Sequence, residues 1–294
     1  MYCSPHRKNN GQSCLTLTEL RSVAALFNKE AEKQKLTKID EGMFDNYSLL
    51  LSTIDSRLQS SCPNKKPNGK VKDHCWIEQP FVKSSELYQK LKNNFRPKRP
   101  YSWISNKRQW LTNFDILHVM KQYELAHQNF TFLGVFPIDF HEPEICHMNK
   151  ICGFNLKTFK EANKTQIAVV LNLDKHNQPG SHWVAFVCDI DPASPKYGLC
   201  YFDSVGYKPP QTLKKFISDV RYQIEDINLG NKCVAKFNPT KKQYRGSECG
   251  VFSIFFIVQC LEYPKFTYKQ CRRLVKTHRH DDYIYQLRKY YWRD

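Results

Sequence analysis

The chain has 294 residues, a net charge of +17, and a composition that is 41% hydrophobic and 14% aromatic. That is enough apolar material for one large domain, or for a domain with an appendage, and too much for a disordered chain. No run approaches the ~20 apolar residues of a membrane helix, and the opening MYCSPHRKNNGQS lacks the apolar stretch of a secretory signal, so an intracellular protein with no membrane association is expected.

In chain order, Thr16 and Glu19 stand at capping-box spacing ahead of Leu20, Val23, Ala24 and Phe27, which predicts a helix over 17–34. A second helix is expected in MFDNYSLLLSTIDSRLQ, followed by an exposed loop, SSCPNKKPNGKVKDHC, and a short helical stretch, SSELYQKLKNNF. The segment RPKRPYS breaks the chain, so residues 1–98 are expected to form a helical, basic arm and residues 99–294 a second domain. That domain opens with WLTNFDILHVMKQYELAHQ, a helix behind an Asn113 cap. TQIAVVLNL, HWVAFVCDI and YGLCYFDS then read as three strands of an antiparallel meander, separated by the turn signals DKHNQPGS and DPASPK. A helix in PPQTLKKFISDVRYQIEDI and a strand in NKCVAKFN follow, and from Gly250 the chain is expected to be helical nearly to its end. Helices at both ends of a central sheet make an α+β fold.

Twelve cysteines are scattered along the chain and are expected to be reduced. In HEPEICHMNKIC, the residues His141, Cys146, His147 and Cys152 lack the tight paired spacing of a zinc knuckle, so no metal site is assigned. The basic excess lies toward the two ends of the chain, a charge distribution that favours polyanions such as DNA.

Chemistry enters through the meander. His182 begins its second strand and Asp203 ends its third, and in neighbouring antiparallel strands the start of one lies beside the end of the next. Imidazole and carboxylate should meet at one sheet edge, the arrangement of a general base oriented by an acid. Cys249, in YRGSECGVFSIFF, stands where a polar loop becomes an apolar run of helical length. A thiol there faces the positive end of a helix dipole, which favours the thiolate. Gly250 leaves the adjacent backbone open to close approach by substrate, and Gln243 carries the amide chemistry of an oxyanion donor.

The strand pair HWVAFV and YFDS, the spacing Gln243-x5-Cys249-Gly250, and the upstream WLTN resemble the adenain-like and SUMO-protease superfamily of cysteine peptidases, a group distinct from papain. WLTNFDI, FTFLGVFPIDF and YFDSVGYKPP look like its branch in large DNA viruses such as African swine fever virus. The resemblance covers roughly residues 100–262. It implies a mixed sheet flanked by helices, with His182 as base, Asp203 as orienter, Cys249 as nucleophile and Gln243 as oxyanion donor. It also implies cleavage after Gly-Gly or Gly-X-Gly, with Trp110 and Trp183 as walls that admit only glycine.

The expected protein is a monomeric viral maturation protease, acting on structural polyprotein precursors in the virion or host cytoplasm and needing no cofactor. Adenain is stimulated by DNA, and the basic ends allow the same here. Two alternatives remain at this stage: a deconjugase acting on a ubiquitin-like protein, and a nucleic-acid-binding core protein on an idle protease scaffold.

Overall fold

A computed structural model describes residues 2–7, 12–62, 73–146, 151–263 and 280–294. Most of the loop expected at 60–75, residues 264–279 of the helical continuation expected beyond Gly250, and His147 lie outside the described residues. The chain divides into two compact units, residues 1–96 and 97–292.

The first unit contains helices α1 (Leu17–Lys33), α2 (Tyr47–Arg57), α3 (His74–Ile77), α4 (Pro80–Lys83) and α5 (Tyr88–Lys92). The capping box at Thr16 and Glu19 is formed, and Leu20, Val23, Ala24 and Phe27 are the buried face of α1. The expectation of reduced cysteines is corrected here. Cys3 bonds Cys14 and Cys62 bonds Cys75, and in the second unit Cys146 bonds Cys152. Each bridge closes a short local loop, which a scan for export signals does not anticipate. Cys188, Cys200, Cys233, Cys249 and Cys260 form no disulfide, and with Cys146 and Cys152 bonded to each other neither is a thiolate ligand for a metal.

The second unit runs α6 (Asn113–Ala126), β1 (Phe130–Pro137), α7 (Pro143–Cys146), α8 (Leu156–Glu161), β2 (Gln166–Asn172), β3 (Trp183–Asp189), β4 (Gly198–Phe202), α9 (Gln211–Ile227), β5 (Ala235–Phe237), α10 (Cys249–Glu262), α11 (His280–Gln286) and α12 (Arg288–Tyr291). The strands form one sheet in the order β1-β2-β3-β4-β5. Strands β2, β3 and β4 are the antiparallel meander read from the sequence, whereas β1 joins β2, and β5 joins β4, in parallel. The strand β1 is not evident from periodicity. Its register shifts between Phe132 and Gly134, and a side chain on Gly134, at φ 140°, would meet the Phe136 ring at 2.7 Å. The bulge interrupts the alternation by which a strand is recognised.

Both faces of the sheet are covered. Ala168, Val170, Ala185, Val187, Cys200 and Phe202 face one apolar cluster with α6 and α10, while the alternate residues Ile167, Val169, Val184, Phe186, Leu199 and Tyr201 face another with α8 and α9. The period-2 switch of side chains along each strand builds a layered helix–sheet–helix core. Within it α10 is apolar all round. Residues Cys249 to Val258 are all buried, as a core helix rather than a surface one requires. Near its C-terminal end the Cys260 carbonyl accepts from the buried Lys196 ammonium, whose pKa is lowered by burial.

The helix α6 begins one residue earlier in its cap than expected. Thr112, not Asn113, accepts from the Asp115 N–H at 3.2 Å, and the Asp115 carboxylate accepts from the Thr112 N–H at 2.8 Å. Replacing Thr112 with Ala removes this box and should destabilise the protein by about 1 kcal/mol, read as a lower urea midpoint at unchanged m-value; an unchanged midpoint would show that the cap contributes nothing.

Candidate active site

The end of β4 and the start of β3 bring the first pair together. His182 Nε2 lies 2.7 Å from Asp203 Oδ1, with the carboxylate fully buried and the imidazole 16% exposed. Asp203 is held as firmly as it holds. Its Oδ1 also accepts from the Val205 N–H at 2.7 Å. Its backbone is bracketed by the Asn238 amide, which accepts from the Asp203 N–H at 2.8 Å and donates to the Asp203 carbonyl at 2.7 Å. Asn238, just beyond β5, is a residue that sequence reasoning missed, because a loop asparagine gives no local signal of a long-range clamp.

With Nε2 committed to Asp203, the other ring nitrogen, Nδ1, is left for Cys249, whose side chain is near enough to act on the imidazole. Burial pulls the His182 pKa down, but the hydrogen bond to Asp203, the nearby Cys249 side chain and the charge of Asp203 outweigh it, and the pKa is pushed up to about 9. The sign of the linkage follows. A group whose folded pKa is raised from 6.5 to about 9 contributes stability that is fully present below pH 6.5 and is lost as the pH rises through 9.

Cys249 is the first residue of α10 and is 1% exposed. The first-turn N–H groups of a helix have no intrahelical acceptors, so beside the sulfur they are free to meet a developing negative charge. The preceding residue, Glu248, is fully buried and makes no capping bond. It instead pairs with Arg288 at 3.0 Å and Arg108 at 3.5 Å and accepts from the Ser247 hydroxyl at 2.9 Å. Gly250 has a different use from the one its sequence position implies. A Cβ there would lie 3.0 Å from Leu111 Cδ1 and 3.1 Å from Leu111 Cβ, so the missing side chain makes room for Leu111.

Gln243 is buried in the loop leading to α10. Its Oε1 accepts from the Ser204 hydroxyl at 2.6 Å and its Nε2 donates to the Arg245 carbonyl at 2.5 Å. The loop backbone is fixed on both flanks. Lys242 and Gln243 donate their N–H groups to the Ser204 carbonyl, and Tyr244 and Arg245 donate theirs to the buried carboxylate of Asp281, at 3.0 and 3.1 Å.

Trp110 and Trp183 both line one cavity of about 590 Å³, which also includes Val135, Asn172, His176 and Gly180. They differ in kind. Trp110 is 42% exposed, whereas Trp183 is 9% exposed, belongs to the apolar core, and donates its indole N–H to the Leu111 carbonyl at 3.1 Å. At the wall of the same cavity, His176 Nδ1 lies 2.8 Å from the buried carboxylate of Asp139, whose pKa it holds below the usual carboxylate range against the opposing effect of burial. The segment 110–113 is therefore pinned at successive residues: Leu111 to Trp183 and Gly250, Thr112 as the helix cap.

The chain is similar to known viral proteases. The adenovirus endoprotease family matches residues 151–280. A putative thiol protease of Acanthamoeba polyphaga mimivirus is 29% identical over 273 residues, covering 90% of this chain and 85% of that protein. A cysteine protease of African swine fever virus is 25% identical over 261 residues, covering 84% of this chain and 91% of the relative. The crystal structure of an African swine fever virus protease superposes over all of this chain and 96% of its own, at a TM-score of 0.63 and 19% identity, which establishes the fold.

Two outcomes are expected from this geometry. In an NMR titration the His182 ring should change protonation near pH 9, and Asp203→Asn, which removes the charge that raises it, should lower that midpoint by about one to two pH units; an unmoved midpoint would rule out the carboxylate as its cause. Gly250→Ala should cost about 1–3 kcal/mol by overpacking, and Leu111→Ala in the same chain should recover part of that loss in a denaturation cycle.

Proposed function

Because the chain belongs to the adenain-like and SUMO-protease superfamily of cysteine peptidases, we propose that it is a viral maturation protease that cuts structural polyprotein precursors after Gly-Gly or Gly-X-Gly. The observation that carries this reading is the Asp203–His182 hydrogen bond beside a sulfur at the first turn of a buried helix, near enough to act on the imidazole. His182 holds the proton and Cys249 attacks as thiolate. The sulfur adds to the scissile carbonyl carbon, and the electron pair moves to oxygen, where the Gln243 amide and first-turn N–H groups stabilise it. Collapse breaks the C–N bond as the imidazolium gives its proton to the leaving amine. The thioester that remains is hydrolysed by water, with His182, now neutral, taking the water's proton.

Glycine preference rests on the groove. Trp110 and Trp183 are bulky walls of one cavity, and a strand of glycine is the peptide that passes between such walls with least obstruction. Basic residues toward both ends of the chain provide for binding DNA, whose affinity would fall steeply with salt.

A second reading has one specific support: relatives in African swine fever virus carry the name SUMO-1 cysteine protease. The same chemistry at an isopeptide bond would release a ubiquitin-like protein.

Incubating the purified protein with structural proteins of its source and sequencing the new N-termini should reveal cuts after glycine that vanish in Cys249→Ala. Turnover that persists in Cys249→Ala overturns the mechanism. Covalent labelling by a ubiquitin-like C-terminal probe, without any precursor cleavage, replaces maturation by deconjugation.

A further inference from the structure

Asp203 and Ser204 are neighbours at the end of β4, and each grips a different member of the site. Asp203 holds the imidazole of His182. Ser204, 1% exposed, holds Gln243 twice: its carbonyl accepts from the Gln243 N–H at 2.9 Å, and its hydroxyl donates to Gln243 Oε1 at 2.6 Å.

An amide has one accepting end and one donating end, and only its partners decide which faces where. A serine hydroxyl alone does not decide, since it can donate or accept. The Arg245 carbonyl does, since it only accepts: Nε2 must face it, at 2.5 Å, and Oε1 must then face Ser204. The amide group is thus fixed at both ends, and of its two N–H bonds one is taken by Arg245 while the other is left over.

We propose that Ser204 is a positioning residue for the reaction. By anchoring Oε1 it turns the second N–H of Gln243 toward the oxyanion formed above Cys249, so that a single dipeptide, Asp203–Ser204, orients both the base and the oxyanion donor. The proposal rests on the catalytic reading of Gln243 given above. Ser204→Ala isolates it, because the backbone bonds from Lys242 and Gln243 to the Ser204 carbonyl do not depend on the side chain. The loop stays tied while the amide loses its anchor.

The test is a mutant cycle of Ser204→Ala and Gln243→Ala, assayed on a peptide spanning a cleavage site mapped as above, with the rate of Cys249 alkylation by iodoacetamide measured in parallel. Alkylation forms no oxyanion, so it reports an intact nucleophile and a folded site. Removal of an oxyanion donor costs roughly 10²–10³-fold in kcat, and its misorientation should cost about 10–100-fold. Ser204→Ala should therefore lower kcat by that factor with KM within about twofold, add nothing in the Gln243→Ala background, and leave alkylation within about twofold of wild type. Ser204→Thr, which keeps the hydroxyl, should retain more activity than Ser204→Ala. An additive cycle, or alkylation that falls together with hydrolysis, overturns the proposal in favour of a general structural role. A silent Ser204→Ala beside a damaging Gln243→Ala refutes the proposal alone, whereas a fully active Gln243→Ala refutes the catalytic reading of Gln243 and the proposal with it.

Discussion

The helix that begins at Cys249 is buried from its first residue to Val258. Apolar from Val251 to Val258 apart from Ser253, it has no surface to offer to water there, and it is stable only between α6 and the sheet, where it joins one of the second unit's two apolar clusters. That requirement places its N-terminus at the edge where β3 begins and β4 ends. The juxtaposition of sulfur and imidazole is thus a consequence of where an apolar cylinder can be buried, and the chemistry uses an end that the core has already fixed.

Burying the start of a helix brings an electrostatic difficulty. Glu248, adjacent to the thiol, is fully buried, and an isolated carboxylate there would oppose both its own ionisation and that of the sulfur. Arg288 resolves this. Its guanidinium, itself 4% exposed, pairs with Glu248 and lies over the Trp103 ring at 4.6 Å, while Arg108 adds a second, longer contact. Such a pair contributes little net stability, since desolvation offsets most of the attraction. Its effect is one of geometry: α12 and the loop before the nucleophile are locked together, and Asp281 of α11 ties the same loop from its backbone. The C-terminal helices therefore hold the loop.

How much of this could be read from residues alone depended on the range of the interaction. The capping box at Thr16, the meander and the apolar run after Cys249 are local patterns, and so were legible, whereas the cap of α6 lies one residue earlier than expected, at Thr112. The pairing of His182 with Asp203 was also legible, because antiparallel register converts two sequence positions into one place. Strand β1 was not, since the bulge at Gly134 hides its alternation, and neither were the disulfides, whose pairing depends on loop geometry. Asn238, Asp281 and Arg288 act on residues 35 to 40 positions away in the chain, and no spacing rule connects them. Gly250 shows the converse case: the residue type signalled a close approach, but that Leu111 is a neighbour needing the space is visible only in the fold.

Leu111 also links the groove to the nucleophile. Its carbonyl accepts the Trp183 indole N–H, its side chain fills the space left by Gly250, and its neighbours are the exposed Trp110 and the helix cap Thr112. Trp183 in turn follows His182 directly in the chain. A displacement of any one of these groups is therefore transmitted to the others through van der Waals contact and one hydrogen bond, in an interior too densely packed to absorb it locally. The width of the groove and the position of the Cys249 sulfur are set by the same few contacts, so a ligand that forces Trp110 and Trp183 apart also disturbs the start of α10. Under the proposed cleavage after glycine, selection against bulky side chains would then act on the reaction itself as well as on binding, which is the condition under which specificity is expressed in the rate of the chemical step.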